Sequence, residues 1–255
     1  MKSLGDRMKE NYENRAKTYL TRRTPVIIRI DGKAFHTFTK EFIKPFDEIM
    51  TKTMQNTMLY LCKNVQGCVF GYTQSDEISL LLSDFKNLNS DAWFDYNVQK
   101  VCSVSSSMAT FAFNYNFLKN VHDASWNGEI ESSELLHTYV DTAKKGALFD
   151  SRCFNVPLEE VNNYFIWRQQ DATRNSIFSL GRAYFSHKYL QGLDSNEIQN
   201  RLFAEMNVNW NNLPTKHKRG SSCNKITGEW IVENETPIFT DSDYVENSIY
   251  DCRQL

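Results

Sequence analysis

The sequence has no long apolar run: nothing in its 255 residues approaches the roughly 20 consecutive apolar positions of a membrane span. Its first fifteen residues, MKSLGDRMKENYENR, are polar and charged, so no secretory signal is expected. Six cysteines (Cys62, Cys68, Cys102, Cys153, Cys223, Cys252) form no CxxC pair, which argues against a zinc site and for a reduced, cytoplasmic setting. Internal repeats and low-complexity tracts are absent, which excludes a repeat architecture. Strong net charge is lacking too, at −2 overall, but the balance is uneven. Residues 229–255 hold seven acids against Arg253 alone; taking these from totals of 31 and 29 leaves 24 acids against 28 bases in residues 1–228. A surplus of that size permits a nucleic-acid surface without demanding one.

What is present is a globular composition, 41% hydrophobic and 13% aromatic, in a chain long enough for one large domain or two modest ones. The stretch PVIIRIDGKAFHTF (25–38) organises it. Val26, Ile27, Ile28 and Ile30 predict a strand covered on both faces. The strand delivers Asp31 at its end, followed by Gly32, which lets backbone approach a ligand. Further on, VFGYTQSDEISLLL (69–82) reads as a hairpin, 68–73 and 77–83, with Ser75, Asp76 and Glu77 about its turn. If that hairpin pairs with the first strand, Asp31 and Asp76 meet at one end of the sheet.

The remaining elements follow in order. Residues 1–24 predict a polar helix, and 32–44 a loop carrying Lys33, His36, Lys40 and Lys44. Pro45 suits a helix's first turn, and Phe46, Ile49, Met50, Met54, Met58 and Leu61 keep helical spacing to about residue 64, the methionines as core. Trp93, Tyr96, Val101, Val104, Met108, Phe111 and Tyr115 mark the buried face of a long helix; 120–147 is irregular and partly helical; Leu148–Val156 is a fourth strand. Strand, helix, strand, strand, helix, strand is the ferredoxin-like pattern, the palm of polymerases and nucleotidyl cyclases. The fold expected is therefore α+β: residues 1–156 a palm-like catalytic domain with helices on one face of an antiparallel sheet, residues 157–255 a mostly helical region with a small β-hairpin arm. Pro157 opens a helix to about Gln170, a second runs to about Leu190, and Asp194 with Glu197 caps a third over 195–206. The run TKHKRG (215–220) is the densest basic segment, either a phosphate grip for RNA or a solvated loop, and strands near 229–233 and 236–240 with a turn at Thr227–Gly228 close the chain.

Nucleotidyl transfer needs charge against triphosphate oxygens and a sharpened hydroxyl, which two Mg²⁺ ions on hard oxygen ligands supply. Asp31, Asp76 and the Gly32 carbonyl are the candidate ligands; backbone N–H groups of Gly32–His36, with Lys33, Lys44 or Arg29 and the Ser75 hydroxyl, are candidate phosphate contacts. Glu77 either reaches a metal from the turn or orients the site, because neighbours along a strand point to opposite faces. Asp47 either complements a helix dipole or accepts from a guanine edge, and His36 and TKHKRG each have a solvated-loop alternative.

RIDGKAFHTF, KPFD and GYTQSDEIS, continued by WRQQDATRNS (167–176), NVNWNNLPTKHKRG (207–220) and WIVENETPIF (230–239), resemble the tRNA-His guanylyltransferase family of 3′-to-5′ polymerases. The resemblance implies two Mg²⁺ ions on Asp31, Gly32 and Asp76, with Glu77 beside them. It implies nucleotide contacts at Asp31, Gly32, Lys33, Ala34, Phe35, His36, Lys44, Asp47, Ser75 and Asp76, and tRNA contacts at Arg174, Asn175, Lys216, Lys218 and Arg219. It also implies ATP and GTP as co-substrates and a homotetramer. Where members selecting tRNA-His carry a motif like HINNLYN, this chain reads ATRNSIF (172–178), which resembles the bacterial and archaeal guanylyltransferase-like branch and implies template-directed repair of tRNA 5′ ends. The alternatives are addition confined to tRNA-His, a two-metal nucleotidyl cyclase, and a non-catalytic RNA-binding module.

Overall fold

The structure, a computed structural model, describes residues 2–130, 132–226 and 228–250. In the first part lie α1 (Leu4–Met8), β1 (Val26–Gly32), α2 (Phe35–Phe38), α3 (Glu48–Asn64), β2 (Cys68–Gln74), β3 (Glu77–Leu82), α4 (Val98–Trp126), α5 (Ser133–Lys145) and β4 (Phe149–Asn155). They are followed by α6 (Val161–Tyr184), α7 (His187–Leu190), α8 (Ser195–Met206), α9 (Thr215–Arg219), β5 (Ser221–Ile226), β6 (Glu229–Glu233) and α10 (Tyr244–Tyr250). One six-stranded sheet runs β4-β1-β3-β2-β5-β6, every neighbouring pair antiparallel. Its first four strands have the ferredoxin-like order expected.

The period-two alternation of the strands divides two cores. Ile28, Ile30, Ile78, Leu80 and Leu82 face α3 and α4 and meet Met54, Met58, Leu61, Phe113 and Phe117. Ile27, Phe70, Tyr72 and Leu81 face the other way and are covered by Val161, Tyr164 and Phe165 of α6 with Phe239 and Val245. A third cluster, Ile177, Leu180, Ile198 and Leu202, joins the second half of α6 to α8. The palm's own helices thus lie on one face, and the C-terminal region supplies the cover of the other.

Several local expectations change. The N-terminal helical stretch ends at Ala16, and Tyr19 then bridges Asn97. Helix α3 starts at Glu48, not Pro45: Pro45 follows a cis peptide bond from Lys44, and Asp47 is the N-cap, accepting from Met50 N at 2.9 Å. On α4 the buried line is Val101, Ser105, Ala109, Phe113 and Phe117, whereas Phe111 and Tyr115 are 61% and 62% exposed. Residues 120–147 are largely regular, being the end of α4 and all of α5. The two helices expected over 157–190 are one 24-residue helix, α6, with a short α7 after it. The capping box of α8 is formed as expected. The C-terminal hairpin pairs 221–226 with 229–233, so 236–240 is not a strand. Thr227 in its turn lies outside the described residues, as do Asp251, Cys252 and Arg253. The five described cysteines are free thiols.

Candidate active site

Strand pairing brings the expected carboxylates together. Asp31 is opposite Glu77 on β3 and opposite Asp150 on β4, and Gly32 N–H donates to the Asp76 carbonyl at 3.1 Å. The two-residue turn joining β2 to β3 is Ser75–Asp76, with Ser75 left-handed (φ 51°) and its hydroxyl donating to Asp76 Oδ1 at 3.0 Å. Burial raises the Asp31 carboxyl above the ordinary range, Asp150 adds to the rise, and Arg152, Arg29 and Arg168 oppose it. Burial raises Asp76 as well; Ser75 opposes, and the charge of Asp31 adds. Two carboxylates that repel one another in a partly desolvated corner fit a cation. Among the described residues no three His, Cys, Asp or Glu side chains form a metal-holding group. Two carboxylates and the Gly32 carbonyl are the oxygens this corner could offer to Mg²⁺, an ion that keeps water and phosphate oxygens in its shell.

The loop after Gly32 is held by Phe35. A Cβ on Gly32 would stand 2.2 Å from the Phe35 ring, which packs with Phe38, Phe113 and Phe149 at 5.1–5.3 Å between centroids. Phe35 is buried, so what it could offer a nucleotide is its backbone. Gly32 N–H and Lys33 N–H are already spent, the latter on the Leu148 carbonyl at 2.8 Å. The N–H groups of Ala34, Phe35 and His36 have no partner among the described residues, so the amides available to phosphate begin at Ala34, not Gly32. Ala34 is itself left-handed (φ 55°), and with Ser75 it makes two strained non-glycine residues, each costing about 1–2 kcal/mol, at one site.

A cleft of about 850 Å³ opens beside this corner. Its palm wall includes Gly32, Ala34, Phe35, His36, Lys44, Asp47, Ser75 and Asp76; its other wall includes Asn175, Ser179, Arg182 and Lys216. Asp31, Lys33, Glu77, Arg174, Lys218 and Arg219 do not line it.

Residues 5–157 match the family model described as tRNAHis guanylyltransferase. The chain is 31% identical over 210 residues to the tRNA(His) guanylyltransferase of Saccharomyces cerevisiae, covering 77% of this chain and 80% of the relative. It superposes on a bacterial tRNA(His) guanylyltransferase-like protein in complex with ATP, with a TM-score of 0.85 and 43% identity, over 97% of this chain and 100% of that one. A bacterial tRNA(His) guanylyltransferase-like protein in complex with GTP gives 0.79 and 39%, over 98% and 100%. The chain belongs to the tRNA(His) guanylyltransferase family. It is accordingly a nucleotidyltransferase.

Within this guanylyltransferase-family site, some side chains have work inside the protein. Glu77 is buried and bidentate to Arg168, Nε–Oε1 2.7 Å and Nη2–Oε2 2.8 Å. Asp47 accepts from Met50 N, from Ile43 N at 3.2 Å and from the Tyr139 hydroxyl at 2.6 Å. Lys44 Nζ donates to the Thr39 carbonyl at 2.7 Å. TKHKRG forms helix α9 and not a solvated loop, and two of its cations are engaged, Lys216 with Glu48 at 2.6 Å and Lys218 with the Asn211 carbonyl at 2.7 Å, whereas Arg219 Nε is buried without a hydrogen-bond partner among the described residues. Arg174 pairs with Asp171. Arg168, Tyr139 and Arg182 were missed from sequence. The first two act through distant partners that only the fold supplies; Arg182 had a signal, its seven-residue spacing from Asn175 on one helix face.

Proposed function

We propose that the chain adds nucleotides, chiefly from GTP, to the 5′ end of tRNA in the 3′-to-5′ direction after activating that end with ATP, and that its substrates are 5′-truncated tRNAs copied against the opposite strand. The observation that carries the reading is the repelling pair Asp31 and Asp76 at the edge of a cleft whose volume, about 850 Å³, suits a nucleotide. ATRNSIF at 172–178 and the 43% identity to a bacterial guanylyltransferase-like protein, against 31% to the yeast enzyme, support the repair branch. Addition confined to tRNA-His is the second reading, favoured by the name of the matching family.

Asp31, Asp76 and the Gly32 carbonyl would hold two Mg²⁺ ions. When bound, such ions neutralise phosphate oxygens and acidify an attacking hydroxyl. The chain's residues place the reactants. Amides of Ala34, Phe35 and His36, with Lys44 and the Ser75 hydroxyl, receive a triphosphate. Asp47 pins the 43–47 turn through Ile43 and Met50, which fixes the pocket floor. Glu77, clamped by Arg168, keeps β3 in register behind Asp31. In activation a 5′-phosphate oxygen of tRNA attacks the α-phosphorus of ATP and pyrophosphate leaves. In transfer the nucleotide's 3′-hydroxyl attacks that 5′-phosphorus and AMP leaves. Asn175, Lys216, Lys218 and Arg219, with Arg174, remain the candidate RNA contacts, and a homotetramer the candidate assembly.

The test is incubation with Mg²⁺, ATP, GTP and a 5′-monophosphorylated tRNA lacking its first nucleotide, resolved nucleotide by nucleotide. Extension that obeys pairing supports repair. Extension of tRNA-His alone, regardless of pairing, moves the chain to the second reading. Turnover of free GTP without tRNA extension would point to a cyclase.

A further inference from the structure

The two walls of the cleft differ in how far their polar groups are used. On α6, Asn175, Ser179 and Arg182 succeed one another at four and three residues and so share one helix face, which lines the cleft. The opposite face, Ile177, Leu180 and Gly181, is packed against α8. Asn175 donates to Asp171 at 3.3 Å, and Ser176 accepts from Trp210 Nε1 at 3.0 Å. Arg174, the arginine that the sequence suggested for RNA, is paired with Asp171 and does not line the cleft. Arg182 and Ser179 have no hydrogen-bond or ion-pair partner among the described residues.

We propose that Arg182, with Ser179 one turn before it, is a phosphate-binding residue of the cleft, receiving a phosphate on the wall opposite Ala34–His36. The proposal rests on the nucleotidyl-transfer reading of the site. An unpaired guanidinium offers five N–H donors in a fixed fork that matches two phosphate oxygens at once. Its backbone is held firmly: a Cβ on the neighbouring Gly181 would stand 2.8 Å from Ile198, so α6 and α8 touch directly where Arg182 emerges. The palm wall already carries amides and Lys44 for one triphosphate. The phosphate at Arg182 is therefore a second one, either of the RNA backbone or of a second nucleotide.

Direct binding separates these sources without relying on turnover. ATP, GTP and 5′-monophosphorylated tRNA lacking its first nucleotide are titrated into wild type, Arg182→Gln, Arg182→Lys and, as a charge control outside the cleft, Lys63→Gln across a salt series. Arg182→Gln is expected to weaken one ligand class about tenfold, with Arg182→Lys recovering part of the loss and Lys63→Gln within about twofold of wild type. Weaker tRNA binding, with the log–log salt slope reduced by about one, assigns an RNA phosphate. Weaker ATP or GTP binding with an unchanged tRNA slope assigns a nucleotide phosphate. Arg182 is exposed, so the variant should fold, and circular dichroism with a melting curve verifies it. Wild-type affinity for all three ligands in Arg182→Gln overturns the proposal. A wild-type protein that binds none of them sinks the nucleotidyl-transfer reading instead.

Discussion

Gly32 owes its place to Phe35. Any side chain at position 32 would enter the ring at 2.2 Å, and the ring cannot retreat because Phe38, Phe113 and Phe149 surround it. Gly32→Ala is expected to lower stability by about 1–3 kcal/mol, as overpacking does, and to displace the Ala34–His36 amides. Thermal melting together with nucleotide titration checks it; a variant equal to wild type in both would show that the loop is not held this way. Asp31→Asn and Asp76→Asn should each reduce transfer at least about 100-fold while leaving tRNA binding and the melting transition close to wild type, because removing a repelling charge relieves the folded state. Single-turnover rates decide it, and activity within tenfold of wild type would remove these aspartates from the chemistry. Both were legible in sequence, since a carboxylate at a strand end beside glycine and another at a hairpin tip need only a local reading. Asp47 was legible only halfway. Its cap position could be guessed, but its bond to Tyr139, 92 residues away, could not.

Between elements, the buried Glu77–Arg168 pair ties β3 to α6 across the second core. Arg168→Leu leaves Glu77 buried and without its counter-charge, at an expected cost of about 3–5 kcal/mol, whereas leucine at both positions should recover much of it. Urea midpoints measure this; a single variant within about 1 kcal/mol of wild type would refute the tie. Glu48 makes a second tie, accepting from Lys216 and His217, whose ring also stacks on Phe46 at 4.6 Å. Burial alone would raise the Glu48 carboxyl, but Lys216 and His217 outweigh it and hold it below the usual 4.5. A depressed carboxyl stabilises the folded state fully above its unfolded value and loses that contribution as pH falls through the folded one. The melting temperatures of wild type and Glu48→Gln should therefore differ near neutrality and converge below about pH 4.5. A constant gap across that range would contradict the assignment. Such ties set α6 and α9 in place, and no local pattern announces them. The same blindness explains the face of α4. Over 29 residues apolar side chains occur on both sides of that helix, so spacing alone placed Phe111 and Tyr115 inward, while packing on β4 through Ser105 and Ser151 turns them out.

At the scale of the whole molecule, the palm was legible because its four strands carry β-branched or apolar alternation between short connections. The sheet's extension was not, because β5 finds β2 only after about 150 intervening residues. Residues 1–156 were expected to form a unit, yet that segment alone would leave Ile27, Phe70, Tyr72 and Leu81 uncovered. We expect the isolated 1–156 fragment to bind hydrophobic dyes and to melt without a cooperative transition. A sharp, reversible transition would establish residues 1–156 as an independent domain.

The pairing of Thr73 with Ser221 also sets a clock on synthesis. A ribosome adding 5–20 residues per second needs roughly 8–30 s to travel from β2 to β5. During that interval the nascent chain displays both aspartates before α6 and then α9, which carry the other wall of the cleft, are complete. The cleft has both of its walls only once α9, in the last quarter of the polypeptide, has been made.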